Sequence, residues 1–134
     1  MYKGIAMRKA ILMMLLAVVS SSAIAEWIEI GATDNSTLYF DSNTIRKSGN
    51  KVKMWSLSDF NSVEEVSGDK FLSEMHQDEY DCKEEQTRLL YLTWHSENMG
   101  GGNVVYVENE PDKNWSPIPP ESANEILWKF ACGK

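Results

Sequence analysis

The sequence predicts an α+β fold: a single antiparallel sheet of about five to six strands, with one C-terminal helix packed on it and tied to it by a disulfide. Two observations indicate this fold class. Short runs of alternating apolar and polar residues, separated by turn residues, recur over positions 26–108. A single capped, amphipathic segment then ends the chain and carries the second of two cysteines.

The first 25 residues have the layout of a secretory signal peptide. Basic Lys3, Arg8 and Lys9 precede an apolar stretch over residues 10–19, and a small-residue site follows at residues 23–25. The apolar stretch is short for a permanent membrane helix, which argues against the alternative of a membrane anchor. We therefore predict cleavage after residue 25 and a single domain over residues 26–134.

The predicted compartment is the periplasm, the medium or the cell surface. No cysteine follows the predicted cleavage site, so the sequence has no acceptor there for a lipid anchor. Without residues 1–25 the chain holds ten basic against twenty acidic residues, a formal charge of −10. This charge repels phosphate backbones and anionic lipids, so we expect neither nucleic acid nor lipid as a partner. No particular oligomeric state is predicted.

Cys82 and Cys132 are the two cysteines of the chain. In an oxidising compartment, two thiols of one small domain are expected to pair. The alternative, a redox-active or metal-binding pair, lacks the C-x-x-C spacing. We therefore predict a structural disulfide between them.

The clearest strand is KVKMWSLSDF, residues 51–60. Its alternation puts Lys53, Trp55 and Leu57 on one face and Val52 and Met54 on the other. Because neither face is purely apolar, we expect a sheet with one covered face and one partly wet face. The segment QTRLLYLTWHS has apolar residues on both faces and is the best candidate for a central strand; ENMGGGN after it is interpreted as a hairpin tip.

The segment ESANEILWKFACGK predicts the helix. Ser122 and Glu125 have the spacing of a capping box, and Gly133 lies just past the end. At 100° per residue Trp128 falls outside the apolar stripe, and we expect it to pack at the edge of the sheet. The residues predicted to form the buried stripe are Ala123, Ile126, Leu127, Phe130 and Ala131.

The acidic run QDEYDCKEEQ, residues 77–86, has two interpretations. If the run is extended, its carboxylates are divided between both faces of a strand, which suits solubility and the protection of a sheet edge. A calcium site would need interleaved oxygen ligands and the glycine of a dedicated loop, which this run lacks. We therefore predict a solvated segment, and neither a metal site nor a bound cofactor.

No catalytic constellation stands out, and we predict that the protein is not an enzyme. The chain has no Gly-x-Ser-x-Gly elbow and no His-Glu-x-x-His pair. His76 and His95 lie on predicted neighbouring strands, and Tyr91 and Trp94 lie nearby in the sequence. These four residues are the candidate site for a small ligand or haem, although two such histidines are more simply interpreted as ordinary surface or half-buried residues.

Four segments follow one another in a recognisable order. WIEI comes directly after the predicted signal peptide, LYFDSNTIRKSGNKVKMWSLSDF follows, a DC pair lies in mid-chain, and NWSPIPPESANEILWKFAC leads to the C-terminus. The most specific parts are Tyr39-x-Asp41, Lys53-x-Trp55-x-Leu57 and the proline-rich segment before the helix. In this order the chain resembles the bacterial surface-adhesin protein E family over nearly all of residues 26–134.

The resemblance implies a small sheet with a C-terminal helix tied to it by Cys82 and Cys132, with Trp55 as a framework residue. It also implies a non-catalytic, exported protein that adheres to host extracellular-matrix or serum proteins, so a host matrix or envelope protein is the expected partner. The family adhesin is a surface lipoprotein, and the missing lipid-acceptor cysteine is a departure. The alternative function is a periplasmic protein that binds a small ligand or haem.

Overall fold

The structure is a computed structural model that describes residues 25–134. The predicted signal peptide, apart from its last residue, lies outside the described residues. Within residues 25–134 no helix is long and apolar enough to cross a membrane.

The described chain forms one antiparallel sheet and one helix. Strands β1 to β6 lie side by side in chain order, and the two-residue strand β7 pairs with the beginning of β5. This confirms the predicted fold class, with six strands in the meander and β7 in addition. The elements are β1 (Ile28–Ala32), β2 (Ser36–Ser48), β3 (Lys51–Val66), β4 (Asp69–Asp81), β5 (Gln86–His95), β6 (Val104–Glu108), β7 (Ser116–Pro117) and α1 (Ala123–Cys132).

Helix α1 begins and ends where its capping residues predict. The Ser122 side chain accepts a hydrogen bond from the Glu125 N–H at 3.2 Å, which satisfies one of the free donors of the first turn. Gly133 has a φ of 70°, a left-handed conformation that glycine adopts at little cost, and it ends the helix.

The hydrophobic core lies between α1 and one face of the sheet, here called the helix face. Side chains of β2, β3 and β4 point to this face at alternate positions. Phe40, Met54 and Tyr80 are buried there, and Ser56 is fully buried beside them. The buried residues of this core are Phe40, Val52, Met54, Tyr80, Leu127, Trp128 and Ala131.

The buried stripe of α1 differs from the predicted one. Leu127, Trp128 and Ala131 are buried, whereas Ile126 and Phe130 are 40% and 46% exposed. The Trp128 indole N–H donates to the Asp81 carbonyl at 2.9 Å, so the largest side chain of the helix finds both an apolar environment and an acceptor in the core. Burying Trp128 in the core, rather than at the edge of the sheet as expected, moves Ile126 and Phe130 to the rim. Ala123 is exposed as well, so the predicted stripe is wrong at these three positions and right at Leu127 and Ala131.

The disulfide between Cys82 and Cys132 is confirmed. Cys82 directly follows β4, Cys132 is the last residue of α1, and their Cα atoms lie 5.6 Å apart. The bond therefore fixes the C-terminal end of the helix to the end of a central strand.

Residues 77–81 of the acidic run lie in the sheet interior rather than at an edge, whereas Lys83, Glu84 and Glu85 in the turn that follows are exposed, as predicted. β4 runs between β3 and β5, and Asp78, Glu79 and Asp81 are 8%, 9% and 6% exposed. The prediction of a solvated, edge-protecting segment is therefore wrong for these three residues. They can be buried because each has a partner, as buried carboxylates require. The partners are His76 for Asp78, Arg88 for Glu79, and Lys51 with the N–H groups of Glu84 and Lys83 for Asp81.

Removal of the disulfide by Cys82→Ser with Cys132→Ser is expected to lower the free energy of unfolding by roughly 2–4 kcal/mol, because the bond closes a loop of 50 residues in the unfolded chain. Urea unfolding followed by circular dichroism measures this. Reductant should lower the wild-type midpoint towards that of the double variant and leave the variant unchanged. A wild-type midpoint that is insensitive to reductant would contradict the prediction.

The observed helix orientation predicts that neighbouring residues differ in their contribution to stability. Leu127→Ala should lower the free energy of unfolding by about 2–5 kcal/mol, because Leu127 is 1% exposed and leaves a cavity. The matched control Ile126→Ala should cost under about 1 kcal/mol, because that side chain is already half exposed. Equal losses of unfolding free energy in the two variants, or a larger loss for Ile126→Ala, would contradict the assignment of Leu127 to the buried face of α1.

Candidate functional site

The face of the sheet opposite α1, here called the open face, carries a shallow cleft of about 450 Å³. Trp55 of β3, Gln77 of β4 and Tyr91 of β5 are opposite one another in the strand register and form its floor. The side chains that line this open-face cleft are Lys53, Trp55, Gln77, Arg88, Leu90, Tyr91 and Pro111.

A β-bulge in β5 shapes the floor. Tyr91 pairs with Gln77 and Leu89 pairs with Asp78, so Leu90 is an extra residue between two successive pairs. The extra residue lets Leu90 and Tyr91 line the same cleft, although a regular strand would point them to opposite faces. Bulges of this kind re-aim side chains next to functional sites. The simple alternation expected from QTRLLYLTWHS is interrupted here.

The segment between β6 and β7 forms one wall of the cleft. The Asp112 N–H donates to the Leu89 carbonyl at 2.8 Å, and Arg88 Nη1 donates to the Asp112 carbonyl at 3.3 Å. Trp115 then lies against two cations, with Lys51 Nζ 5.5 Å and the Arg88 guanidinium 5.0 Å from its ring centre. These cation–π contacts hold the segment over the end of the sheet.

The turn after β5 covers the other end of the open face. The Asp59 carboxylate accepts hydrogen bonds from the Asn98 side chain at 3.0 Å and from the Met99 N–H at 2.7 Å. The Ser73 hydroxyl accepts one from the Gly100 N–H at 2.9 Å. The predicted hairpin tip is therefore anchored to the sheet, and the cleft lies between two anchored segments.

The two cationic side chains that line the cleft, Arg88 and Lys53, differ in whether they are ion-paired. Arg88 is engaged, because its Nε and Nη2 donate to Glu79 Oε1 at 2.8 Å and 2.7 Å. Lys53 is exposed and, among residues 25–134, takes part in no ion pair or side-chain hydrogen bond. No carboxylate lines the cleft; Glu79 lies opposite Lys53 in the register, but its carboxylate is bonded to Arg88, so Lys53 is the cation without an ion pair.

His76 lies on the helix face, away from the open-face cleft. It is opposite Leu92 in the register, its Nδ1 is bonded to the Asp78 carboxylate, and it lies 3.1 Å from the Ser56 hydroxyl. Burial lowers the pKa of His76, but the hydrogen bond and the charge of Asp78 outweigh burial, so the pKa is raised above its usual value.

Ser56, His76 and Asp78 have the residue types of a hydrolase triad without its arrangement. In such a triad the histidine uses one nitrogen for the serine and the other for the carboxylate. Here Ser56 lies closest to the same nitrogen that Asp78 binds, and Ser56 has no exposed surface under α1. The arrangement is that of a satisfied polar group in the core.

His95 and Trp94 occupy two further environments. His95 is 8% exposed, its Nε2 lies 2.8 Å from the Thr93 hydroxyl, and burial lowers its pKa. Trp94 stacks on Phe71 with ring centres 4.3 Å apart and donates from Nε1 to Glu74 at 3.1 Å. It also packs against Tyr106.

The four sequence-predicted ligand residues are thus not brought together. His95 of β5 is opposite Ser73 of β4, and Ser73 is three residues before His76 on the same strand. Because side chains alternate between faces along a strand, the two histidines point to opposite faces of the sheet. Of the four, Tyr91 alone lines the open-face cleft. Across the part of the chain that the structure describes, no group of three or more His, Cys, Asp or Glu is placed to hold a metal ion.

Sequence reasoning missed most of the cleft. The alternation of KVKMW did place Lys53 and Trp55 on one face of β3, which was a usable signal. Gln77, Arg88 and Pro111 gave no signal, because their position beside Trp55 depends on strand register, on the bulge and on a proline-limited segment.

The two histidines predict opposite effects of pH on stability. The raised pKa of His76 stabilises the fold fully below its ordinary value of 6.5, and this stabilisation is lost as pH rises through the folded-state pKa. The lowered pKa of His95 destabilises the fold once pH falls below 6.5. In urea unfolding between pH 5 and 8.5, the stability of wild type relative to His76→Gln should therefore shrink with rising pH. Relative to His95→Gln it should shrink with falling pH.

Nuclear magnetic resonance titration of both imidazoles provides the direct check on these pH effects. An imidazole pKa below 6.5 for His76 or above 6.5 for His95 would contradict the electrostatic environments described here.

Comparisons with known proteins agree with this fold. The model of the family "Surface-adhesin protein E" matches residues 27–133. Crystal form II of Haemophilus influenzae protein E is similar at a TM-score of 0.61 and 12% identity, covering 83% of this chain and 97% of that chain. Protein E from non-typeable Haemophilus influenzae is similar at a TM-score of 0.59 and 14% identity, covering 78% and 75%.

The two kinds of match carry different weight. At 12% and 14% identity the crystal structures support the fold alone. No curated protein matches the sequence. The family model, however, covers nearly all of the described residues. The chain belongs to the surface-adhesin protein E family.

Proposed function

We propose that this chain is an exported, non-catalytic binding protein that attaches to a macromolecule of the host extracellular matrix or of the bacterial envelope, using the open-face cleft as its contact surface. Membership of an adhesin family supports binding rather than catalysis. The amino-terminal pattern of basic, apolar and small residues over positions 1–25 supports export.

The observation that carries the proposal is the open-face cleft. One face of the sheet is closed by α1, whereas the centre of the other face leaves two half-buried aromatic rings and an unpaired lysine accessible between two anchored segments. Aromatic residues rimmed by polar groups are typical of binding surfaces. The cleft lining contains no serine, cysteine, histidine or carboxylate, so it lacks the serine–histidine and cysteine–histidine pairs of the common nucleophilic enzymes.

The anchoring of the cleft walls also supports a binding role. The sheet floor and both covering segments are held by backbone and side-chain hydrogen bonds, so the surface is formed before a partner arrives. A preformed surface loses little conformational entropy on binding. The acidic remainder of the chain disfavours anionic surfaces and leaves neutral, cationic or sparsely anionic partners.

Export is tested by making the full 134-residue chain in bacterial cells and separating cytoplasm, periplasm, outer membrane and medium. We expect a processed chain that begins near Glu26 outside the cytoplasm, because residues 1–25 have signal-peptide features. A variant that lacks residues 2–25 is the matched control and should stay in the cytoplasm. An unprocessed wild-type chain in the cytoplasm would sink the export part of the proposal, and protease treatment of intact cells separates surface display from periplasmic residence.

Binding is tested by applying the purified protein to immobilised matrix proteins and envelope fractions. Tyr91→Ala should weaken binding about tenfold or more, because Tyr91 forms part of the cleft floor and aromatic anchors dominate such surfaces. Val63→Ala is a suitable control, because Val63 is 57% exposed on β3 and does not line the cleft. Equal binding by both variants would place the contact surface elsewhere on the protein.

A carrier of haem or another small ligand is the second candidate function. Its support is narrower, because His76 and His95 are on opposite faces and each already has a polar neighbour. Tyr91 in the cleft is the one member of the predicted set that an added ligand could reach there. Haem added to purified protein, with a His76→Gln and His95→Gln double variant as control, tests this function by the absorption band of the bound haem.

A further inference from the structure

Building on the function proposed above, we infer that the open-face cleft binds a saccharide unit that carries one carboxylate, such as the acidic end of a glycan chain. The inference rests on three properties of the cleft: its floor has no free strand edge, its aromatic rings meet at an angle, and it offers a single unpaired cation.

The floor of the cleft is built from strands that are already paired. Trp55 lies between Asp41 and Gln77 in the register, and Gln77 lies between Trp55 and Tyr91. An extended peptide that binds by strand addition needs a free edge with unpaired backbone groups. Because this floor offers none, a ligand in the cleft is recognised by side chains.

The two aromatic rings suit a sugar ring better than an apolar helix. The ring centres of Trp55 and Tyr91 lie 5.6 Å apart with their planes inclined by 70°, which makes a corner rather than a flat stack. The C–H face of a pyranose ring packs against the electron-rich face of an aromatic ring. An amphipathic helix needs a continuous apolar groove, and the cleft provides in addition only the aliphatic side chains Leu90 and Pro111.

The polar groups of the corner match the hydroxyl rim of a sugar. The Trp55 indole N–H, the Gln77 amide and the Tyr91 hydroxyl have no side-chain hydrogen bond to any other residue in the range 25–134. The residues that carry these groups line an open volume of about 450 Å³, within the range of roughly 300–1,000 Å³ that is usual for small-ligand sites. The cleft therefore has room for a short saccharide segment.

The charge of the cleft selects for one carboxylate. Lys53 is exposed and free of ion pairs within the described chain, whereas the Arg88 guanidinium is occupied by Glu79 and by the Asp112 carbonyl. One free cation satisfies one anionic group. A densely charged polyanion is disfavoured, because the chain after residue 25 has a formal charge of −10.

The test titrates the purified protein with 3′-sialyllactose, and separately with lactose, which lacks the carboxylate. Nuclear magnetic resonance follows the indole N–H of Trp55. We expect both sugars to shift this signal, with sialyllactose binding about tenfold more tightly because its carboxylate reaches Lys53.

Substitutions assign the interaction to named groups. Lys53→Met should reduce sialyllactose binding about tenfold and reduce lactose binding by much less, because lactose has no carboxylate for Lys53 to bind. Lys70→Met is the matched control, because Lys70 is an exposed lysine on β4 outside the cleft. Gln77→Ala should weaken the binding of both sugars. This variant avoids the risk that removal of Trp55 disturbs folding.

Each outcome bears on the inference. Unchanged sialyllactose binding by Lys53→Met would overturn the carboxylate assignment. If an acidic pentapeptide shifts the Trp55 signal and neither sugar does, the assignment of a saccharide ligand is overturned, but the proposed binding function stands. If the protein binds matrix or envelope fractions but neither sugar shifts the Trp55 signal, the saccharide inference is overturned and the proposed binding function stands. The loss of all binding would count against both proposals.

Discussion

The architecture depends on one constraint: a single-layer sheet has two faces, and residues 25–134 supply only one α-helix to cover them. Helix α1 buries Leu127, Trp128 and Ala131 against the helix face, and the disulfide between Cys82 and Cys132 fixes its end to β4. A ten-residue helix has little stability by itself, so its position depends on packing and on this covalent link. Among the residues that the structure describes, the opposite face is covered at its two ends, and the cleft lies between them.

The central strand β4 carries three carboxylates into the interior. Asp78, Glu79 and Asp81 are buried, and their partners come from three places: the same strand, the strand β5 and the strand β3. Arg88 on β5 and Lys51 on β3 are register-dependent partners, so a shift in register would separate them from Glu79 and Asp81, whereas the pair of His76 and Asp78 lies within β4 and would move together. Register, in turn, is what places Trp55, Gln77 and Tyr91 side by side.

The same interactions therefore serve both the fold and the cleft. Arg88 neutralises Glu79 inside the sheet, holds the Asp112 carbonyl in the cleft wall, and lies against Trp115. Because Arg88 is used in this way, Lys53 is the cation that remains accessible at the cleft. A structural ion pair thus decides which charge is available to a partner.

Local patterns were sufficient for a large part of this structure. Alternation of apolar residues, the capping residues Ser122 and Gly133, and a pair of cysteines in a chain with signal-peptide features each reflect short-range physics, and they led to the antiparallel sheet, the helix and the disulfide. The face of α1 that is buried, the burial of the acidic run and the composition of the cleft were decided only in the folded molecule. Trp128 turned inward because Asp81 offered its indole an acceptor, and Leu90 joined Tyr91 because a bulge broke the alternation. These outcomes depend on partners that are distant in the chain, and a local pattern carries no information about which distant groups will meet.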